Sequence, residues 1–113
     1  MVDDEEGVRA LFEQILTAEG YAVLTAANGR QALQVLRGRK VDLVITDLLM
    51  PEADGIETIR EIRSSSPGMK IIAMSGELGG KYLDMAMPLG ASAVIRKPVS
   101  SGQLLRAIRE VFT

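Results

Sequence analysis

The sequence predicts an α/β fold, a parallel sheet wound on both faces by helices. Two observations carry this. Apolar residues alternate along the 113-residue chain between a helical period and short continuous runs. Runs such as Val41-Asp42-Leu43-Val44-Ile45-Thr46-Asp47 are too apolar to leave a face in water, which calls for a buried parallel sheet with right-handed crossovers. A third observation bears on function. Asp3-Asp4, Asp47, Ser75 and Lys97 each close a predicted strand, and in a parallel sheet those ends share the edge where open α/β proteins bind ligands.

The elements follow in the order (β)α-βα-βα-βα-βα. Only Met1 and Val2 precede the acidic pair, where a strand usually has about 5 or 6 residues. Strand one is central in this architecture, so roughly three buried apolar residues are missing, each worth about 1.5–3 kcal/mol. Against a typical stability of about 5–15 kcal/mol that is a large loss. A start shortened within the domain is therefore expected. Apolar residues added ahead of Met1 should raise the melting temperature, and an unchanged temperature is the contrary result.

Val8, Leu11, Phe12, Ile15 and Leu16 mark one face of a helix from about Glu5 to Glu19. Gly20 ends it, and Tyr21 to Ala26 reads as a short strand. Asn28-Gly29 opens a second helix, with Ala32, Leu33 and Leu36 inward and its close near Gly38. After the strand Val41 to Asp47, Asp54 is expected to cap a helix carrying Ile56, Ile59 and Ile62. A loop at Ser64 to Gly68 leads to the strand Met69 to Ser75. Lys81 to Met87 reads as a short helix broken by Pro88. Ala91 to Lys97 is the last strand. Ser100 or Ser101 then caps a final helix expected to bury Leu104, Leu105, Ile108, Val111 and Phe112.

Composition narrows the chemistry. A chain of 113 residues is expected to form one domain over residues 1–113. The net charge of −2 gives no reason to expect nucleic-acid binding. No apolar stretch approaches the roughly 18–20 residues of a membrane helix, and no signal peptide is visible. The absence of Cys removes disulfides and thiolate chemistry and fits a cytoplasmic protein. With no His, triads and the commonest general base are excluded. A phosphoryl group originating on histidine must come from another protein.

What remains describes a metal-assisted aspartyl-phosphate site. A carboxylate can attack a phosphoryl donor, but neighbouring acids repel the incoming anion. A divalent cation resolves this, and Mg²⁺ takes one or two carboxylates, several waters and substrate phosphate. Asp4 and Asp47 are expected as direct ligands, Asp3 through water, and the Leu49 backbone carbonyl as the remaining protein ligand. Lys97 offers a point charge to the phosphoryl oxygens and Ser75 a hydrogen bond.

These residues resemble the receiver domain of bacterial response regulators. The likeness rests on Val2-Asp3-Asp4-Glu5, Thr46-Asp47-Leu48-Leu49-Met50-Pro51 with Asp54-Gly55, Met74-Ser75-Gly76, Gly90-Ala91 and Lys97-Pro98, in order along essentially the whole chain. It implies a flavodoxin-like doubly wound fold, a five-stranded parallel sheet of order 2-1-3-4-5 with five helices. It implies phosphorylation of Asp47 by a partner sensor histidine kinase or histidine phosphotransfer protein, with Mg²⁺ (or Mn²⁺) organised by Asp3 and Asp4. Ser75 would shift toward the phosphoryl group and Lys97 would contact it. The Lys97-Pro98 peptide is often cis in such domains. The result would be a signalling switch, promoting only its own phosphorylation and dephosphorylation, that acts on a downstream output protein or domain.

The sequence departs from the family pattern in its truncated first strand, in Val94, where many receivers carry an aromatic switch residue, and in Pro88, expected to shorten the fourth helix. Leu49 and Glu77 occupy positions that flank the phosphoryl group in receivers and tune its lifetime. An apolar Leu49 cannot orient an attacking water, so slow self-dephosphorylation is expected.

Each signal alone has an ordinary reading: acids favour a helix N-terminus, Lys97-Pro98 suits a solvated turn, and the methionines suit core filling. Their conjunction at successive strand ends is what carries the inference. A haloacid-dehalogenase-type phosphatase would need a second Asp at the position of Leu49. A phosphate-independent interaction module would have no need to hold the cluster together. A homodimer through the last two helices is left open, with no clear charge pattern in its favour.

Overall fold

In the computed structural model, the described residues are 1–48, 54–76 and 86–113, with the side chain of Asp54 also outside the description. Helices α1 (Glu6–Ala18), α2 (Gly29–Gly38), α3 (Asp54–Ser65), α4 (helical over residues 86–89) and α5 (Ser101–Val111) surround strands β1 (Leu43–Asp47), β2 (Lys70–Ser75) and β3 (Ala93–Arg96).

The sheet is parallel in the order β1-β2-β3. Its register runs from Leu43 opposite Lys70 to Asp47 opposite Met74, and from Ile72 opposite Ala93 to Ser75 opposite Arg96. On the far side of β1, Val2 alone forms parallel bridges, one to Thr46 and one to Ala26. The lateral order is therefore Ala26, Val2, β1, β2, β3, which is the expected 2-1-3-4-5 arrangement with its first two members reduced to bridge positions.

That reduction corrects the expected strand over Tyr21 to Ala26, of which only Ala26 pairs. The reason is physical: a strand gains its hydrogen bonds from a neighbour, and Met1-Val2 is too short to supply more. The other strands begin one or two residues later than the apolar runs, at Leu43, Lys70 and Ala93.

Alternate strand residues feed two cores. Val44, Ile71 and Ala73 pack with Ala32 of α2, Ile59 and Ile62 of α3 and Ala86 of α4. Ile45, Ile72 and Met74 pack with Phe12 and Leu16 of α1 and Leu104, Ala107 and Ile108 of α5. Helices thus cover both faces, and the parallel sheet is buried as its composition requires.

The caps agree with the sequence where they are described. Asn28 accepts from the Gln31 N–H, and Ser100 forms a reciprocal capping box with Gln103. Leu11 and Phe112, expected inside, are exposed at 52% and 51%. Leu11 lies at the margin of the α1 stripe, beyond reach of the sheet. Pro88 lies within helical residues 86–89 and does not end them; the end comes at Gly90, whose positive φ of 125° takes the chain out of the helix. The rest of the expected helix from Lys81 falls outside the described residues, as does the cap assigned to Asp54.

At the sheet's amino edge, Arg63 near the end of α3 donates to the carbonyls of Pro67 and Gly90. One guanidinium thereby ties the turns that enter β2 and β3.

Candidate functional site

Strand ends build the site. Asp47 is the last residue of β1 and Ser75 the last of β2, while Lys97 directly follows β3. The backbone of Val2 fixes the two inner acids together: its carbonyl accepts from the Asp47 N–H at 3.0 Å, and the next residue's N–H donates to Ala26 at 3.1 Å. The Lys97 N–H donates to the Ser75 carbonyl at 2.8 Å, tying the lysine to the end of β2. The Lys97–Pro98 peptide is cis.

Carboxylate oxygens of Asp3, Asp4 and Asp47 all lie within 4.8 Å of one another. Asp3 is fully buried, Asp47 is 4% exposed, and Asp4 faces solvent. One Asp3 oxygen accepts from the Glu5 N–H at 2.9 Å, which orients the carboxylate. The acidic pair precedes α1 and does not cap it, since the N-cap is Glu5 and makes no side-chain cap bond.

Lys97 Nζ lies 3.1 Å from Asp3 Oδ2 and 3.3 Å from Asp47 Oδ2. Partial burial works against the ammonium's charge, but Asp47 and then Asp3 outweigh it and raise the pKa. One cation thus serves two buried acids, leaving the cluster with a net negative charge.

That donor set fits a hard divalent cation, which prefers carboxylate oxygens and retained water. The Ser75 hydroxyl is also telling. It is fully buried and has no hydrogen-bond partner among the described residues, and such an orphan costs about 1–3 kcal/mol. An anionic oxygen arriving beside it would satisfy it.

Of the residues expected at the site, Asp3, Asp4, Asp47 and Lys97 come together, and Ser75 ends the adjoining strand. Leu49, including its carbonyl, and Glu77 lie outside the described residues. Val94 is on β3, with an exposed side chain. Gly55 has a role that sequence reasoning missed. A Cβ there would fall 2.4 Å from Leu48 Cα and 2.5 Å from the Asp47 carbonyl oxygen. α3 can approach the end of β1 this closely only without a side chain. The Asp54-Gly55 pair was the available signal.

A doubly wound parallel α/β domain with acids and a lysine gathered at its sheet's carboxyl edge has the flavodoxin-like architecture. The family described as response regulator receiver domain matches residues 1–109, and the chain belongs to it. It is 40% identical over 112 residues to the transcriptional regulatory proteins GlrR of Escherichia coli K12 and QseF of Escherichia coli O157:H7. That match covers 99% of this chain and 25% of each relative, so the chain spans about a quarter of their length. A receiver domain structure from Clostridium thermocellum superposes with a TM-score of 0.92 at 32% identity, covering 97% of this chain and 89% of that one. The receiver domain of NtrX from Brucella abortus gives 0.92 at 28% identity, covering 97% and 93%. The chain is thus a receiver, a switch of two-component signalling. Receivers bind Mg²⁺ through an acidic pocket, and the Asp3, Asp4 and Asp47 cluster could hold such an ion. No helix among the described residues is long and apolar enough to cross a membrane.

Proposed function

We propose that Asp47 accepts a phosphoryl group from a partner histidine kinase or histidine phosphotransfer protein. The observation that supports this most is the buried Asp47 carboxylate, 3.3 Å from Lys97 and within 4.8 Å of both other acids. An Asp47 oxygen forms the new bond to phosphorus while the phosphorus–nitrogen bond of the donor imidazole breaks. The bonding electron pair leaves with the imidazole, which is reprotonated from solvent. Lys97 holds positive charge against the transferred oxygens, and the Ser75 hydroxyl donates to one of them. Asp3, Asp4, Asp47 and the Leu49 carbonyl would hold Mg²⁺ (or Mn²⁺), which supplies charge neutralisation between these acids and the phosphoryl group. The chain needs no general acid or base for this and promotes only its own phosphorylation and dephosphorylation.

Residues 1–113 act as one receiver unit in the cytoplasm, without contacting nucleic acid or membrane directly. The output is a downstream protein or domain reached through the surface that includes Val94. The transcriptional role named for GlrR and QseF supports a regulatory output of that kind. A homodimer is one form such an output contact can take, read by sedimentation with and without phosphorylation.

Acetyl phosphate with Mg²⁺ should add one phosphoryl mass to the chain, with acetate leaving. The addition should vanish in Asp47→Asn and without the metal. Labelling that persists in Asp47→Asn would refute the assignment. Leu49 and Glu77 set how long the group stays, so Leu49→Asn should speed its loss. Equal decay of the two phosphorylated chains would sink that role for Leu49.

A further inference from the structure

The acidic pair sits at a corner of the chain. Val2 is bridged to Ala26 and Thr46, the chain bends at Asp4, and α1 begins at Glu6. Successive side chains of an extended strand point to opposite faces of the sheet. Asp3 and Asp4 nonetheless both bring a carboxylate oxygen within 4.8 Å of Asp47. The peptide that joins them must therefore be turned and held. Its carbonyl belongs to Asp3 and its N–H to Asp4, and its orientation sets where the Asp4 side chain leaves the backbone.

Three hydrogen bonds hold this corner. The Asp3 N–H donates to the Ala26 carbonyl at 3.1 Å, and the Glu5 N–H donates to Asp3 Oδ1 at 2.9 Å. Arg9 Nη1 donates to the Asp3 carbonyl at 2.7 Å. Of the three, the Arg9 bond is the one that grips the joining peptide. It is charge-assisted, and so stronger than a bond between neutral groups. Arg9 reaches back because helical side chains lean toward the helix N-terminus. Its own N–H donates to the Glu5 carbonyl at 3.1 Å, which fixes the base of the side chain against the same corner.

Helix preference does not explain a cation here. The first turn of a helix carries the positive end of the macrodipole and favours acids, as at Glu6. Arg9 is partly buried and does not simply extend into solvent. Its bond to a peptide oxygen also takes no carboxylate oxygen from an incoming ion. Lys97 does the opposite, occupying one oxygen of Asp3 and one of Asp47.

We propose that Arg9 is a positioning residue for cation binding, holding the Asp3–Asp4 peptide so that the Asp4 carboxylate faces those of Asp3 and Asp47. The role rests on those three acids holding Mg²⁺ or Mn²⁺. Arg9 acts through Asp3 and Asp4 and needs no contact with the ion. As a nearby positive charge alone it would repel the ion, and its removal would tighten binding. As the holder of the corner, its removal frees Asp4 and weakens binding. The two roles have opposite signs.

The test titrates Mn²⁺ alone into the unphosphorylated chain and reads the free ion by electron paramagnetic resonance. Arg9→Met keeps the apolar stem and should raise the Mn²⁺ Kd about tenfold. In the metal-free chain it should also speed amide exchange at Glu5 at least about threefold, because the Asp3 acceptor loses its fixed frame. Arg9→Gln, neutral and too short to reach, should do the same and stands in if Arg9→Met does not fold. An unchanged or lowered Kd in a folded Arg9 variant would overturn the proposal, whatever happens to Tm. So would a raised Kd with unchanged exchange at Glu5, since the corner would then be intact. Mn²⁺ binding that is absent from the parent chain, or that survives Asp4→Asn, would remove the cation reading and this role together.

Discussion

At the carboxyl edge of the sheet, Lys97 reaches Asp3 and Asp47 at 3.1 and 3.3 Å and Ser75 lies fully buried. At the amino edge, the same Val2 strand gives way to a cleft of about 350 Å³ bounded by apolar side chains. The strand order and the helices are common to both ends; the number of residues crossing the centre of the sheet is not. One bridged residue is enough to position two acids, because its N–H and carbonyl hold β1 while its chain neighbours Met1 and Asp3 hold Ala26. It is not enough to fill a core, because filling depends on side-chain volume and each missing group costs its own burial.

The strongest way to break this contrast is to disturb the full end. Lys97→Met leaves two buried carboxylates without their cation and should cost about 3–5 kcal/mol in metal-free urea unfolding. Saturating Mg²⁺ should recover part of that. A loss below about 1 kcal/mol, the range of exposed pairs, would mean the edge behaves as open surface.

A change of pH tests the other end. The buried terminal amine titrates near 6 in the folded chain and at 8.0 when unfolded. Between those values the unfolded chain holds a proton that the folded chain has shed, so stability should rise from pH 6 to pH 8. The expected gain is about 2–3 kcal/mol. No His or Cys is present to blur that window. Lys97 behaves oppositely: its raised pKa keeps its pairs intact across the same range, to be lost only as pH climbs past its ordinary 10.5. A flat urea midpoint from pH 6 to 8 would remove the amine from the account.

A smaller effect is expected at Gly55. The added methyl of Gly55→Ala meets backbone atoms at the end of β1, and overpacking of that kind costs about 1–3 kcal/mol. Both the urea midpoint and the rate of acetyl phosphate labelling should fall, sharpening the link between packing and chemistry at this edge.

Much of this was legible in the sequence because the site residues sit where periodicity ends. Asp47 and Ser75 terminate buried runs, so finding the strands finds the acids. Asn28 and Ser100 announced α2 and α5 through hydrogen bonds made within a few residues. Tyr21 to Ala26 misled because its composition suits a strand while its pairing depends on a partner elsewhere in the chain. Phe112 misled for a related reason: a helical stripe says which side chains share a face, not how far the layer beneath extends. Gly55 carries no side chain to betray its contacts, so its importance emerges only when α3 is seen against Leu48 and Asp47.

Ser75 gives the resting domain a built-in thirst. Its hydroxyl is sealed from water and unanswered by the described protein groups, so the folded state carries a small debt of free energy. A guest oxygen that settles this debt also makes the fold harder to open. Loading the site should therefore show up as added resistance to heat, even before any partner listens.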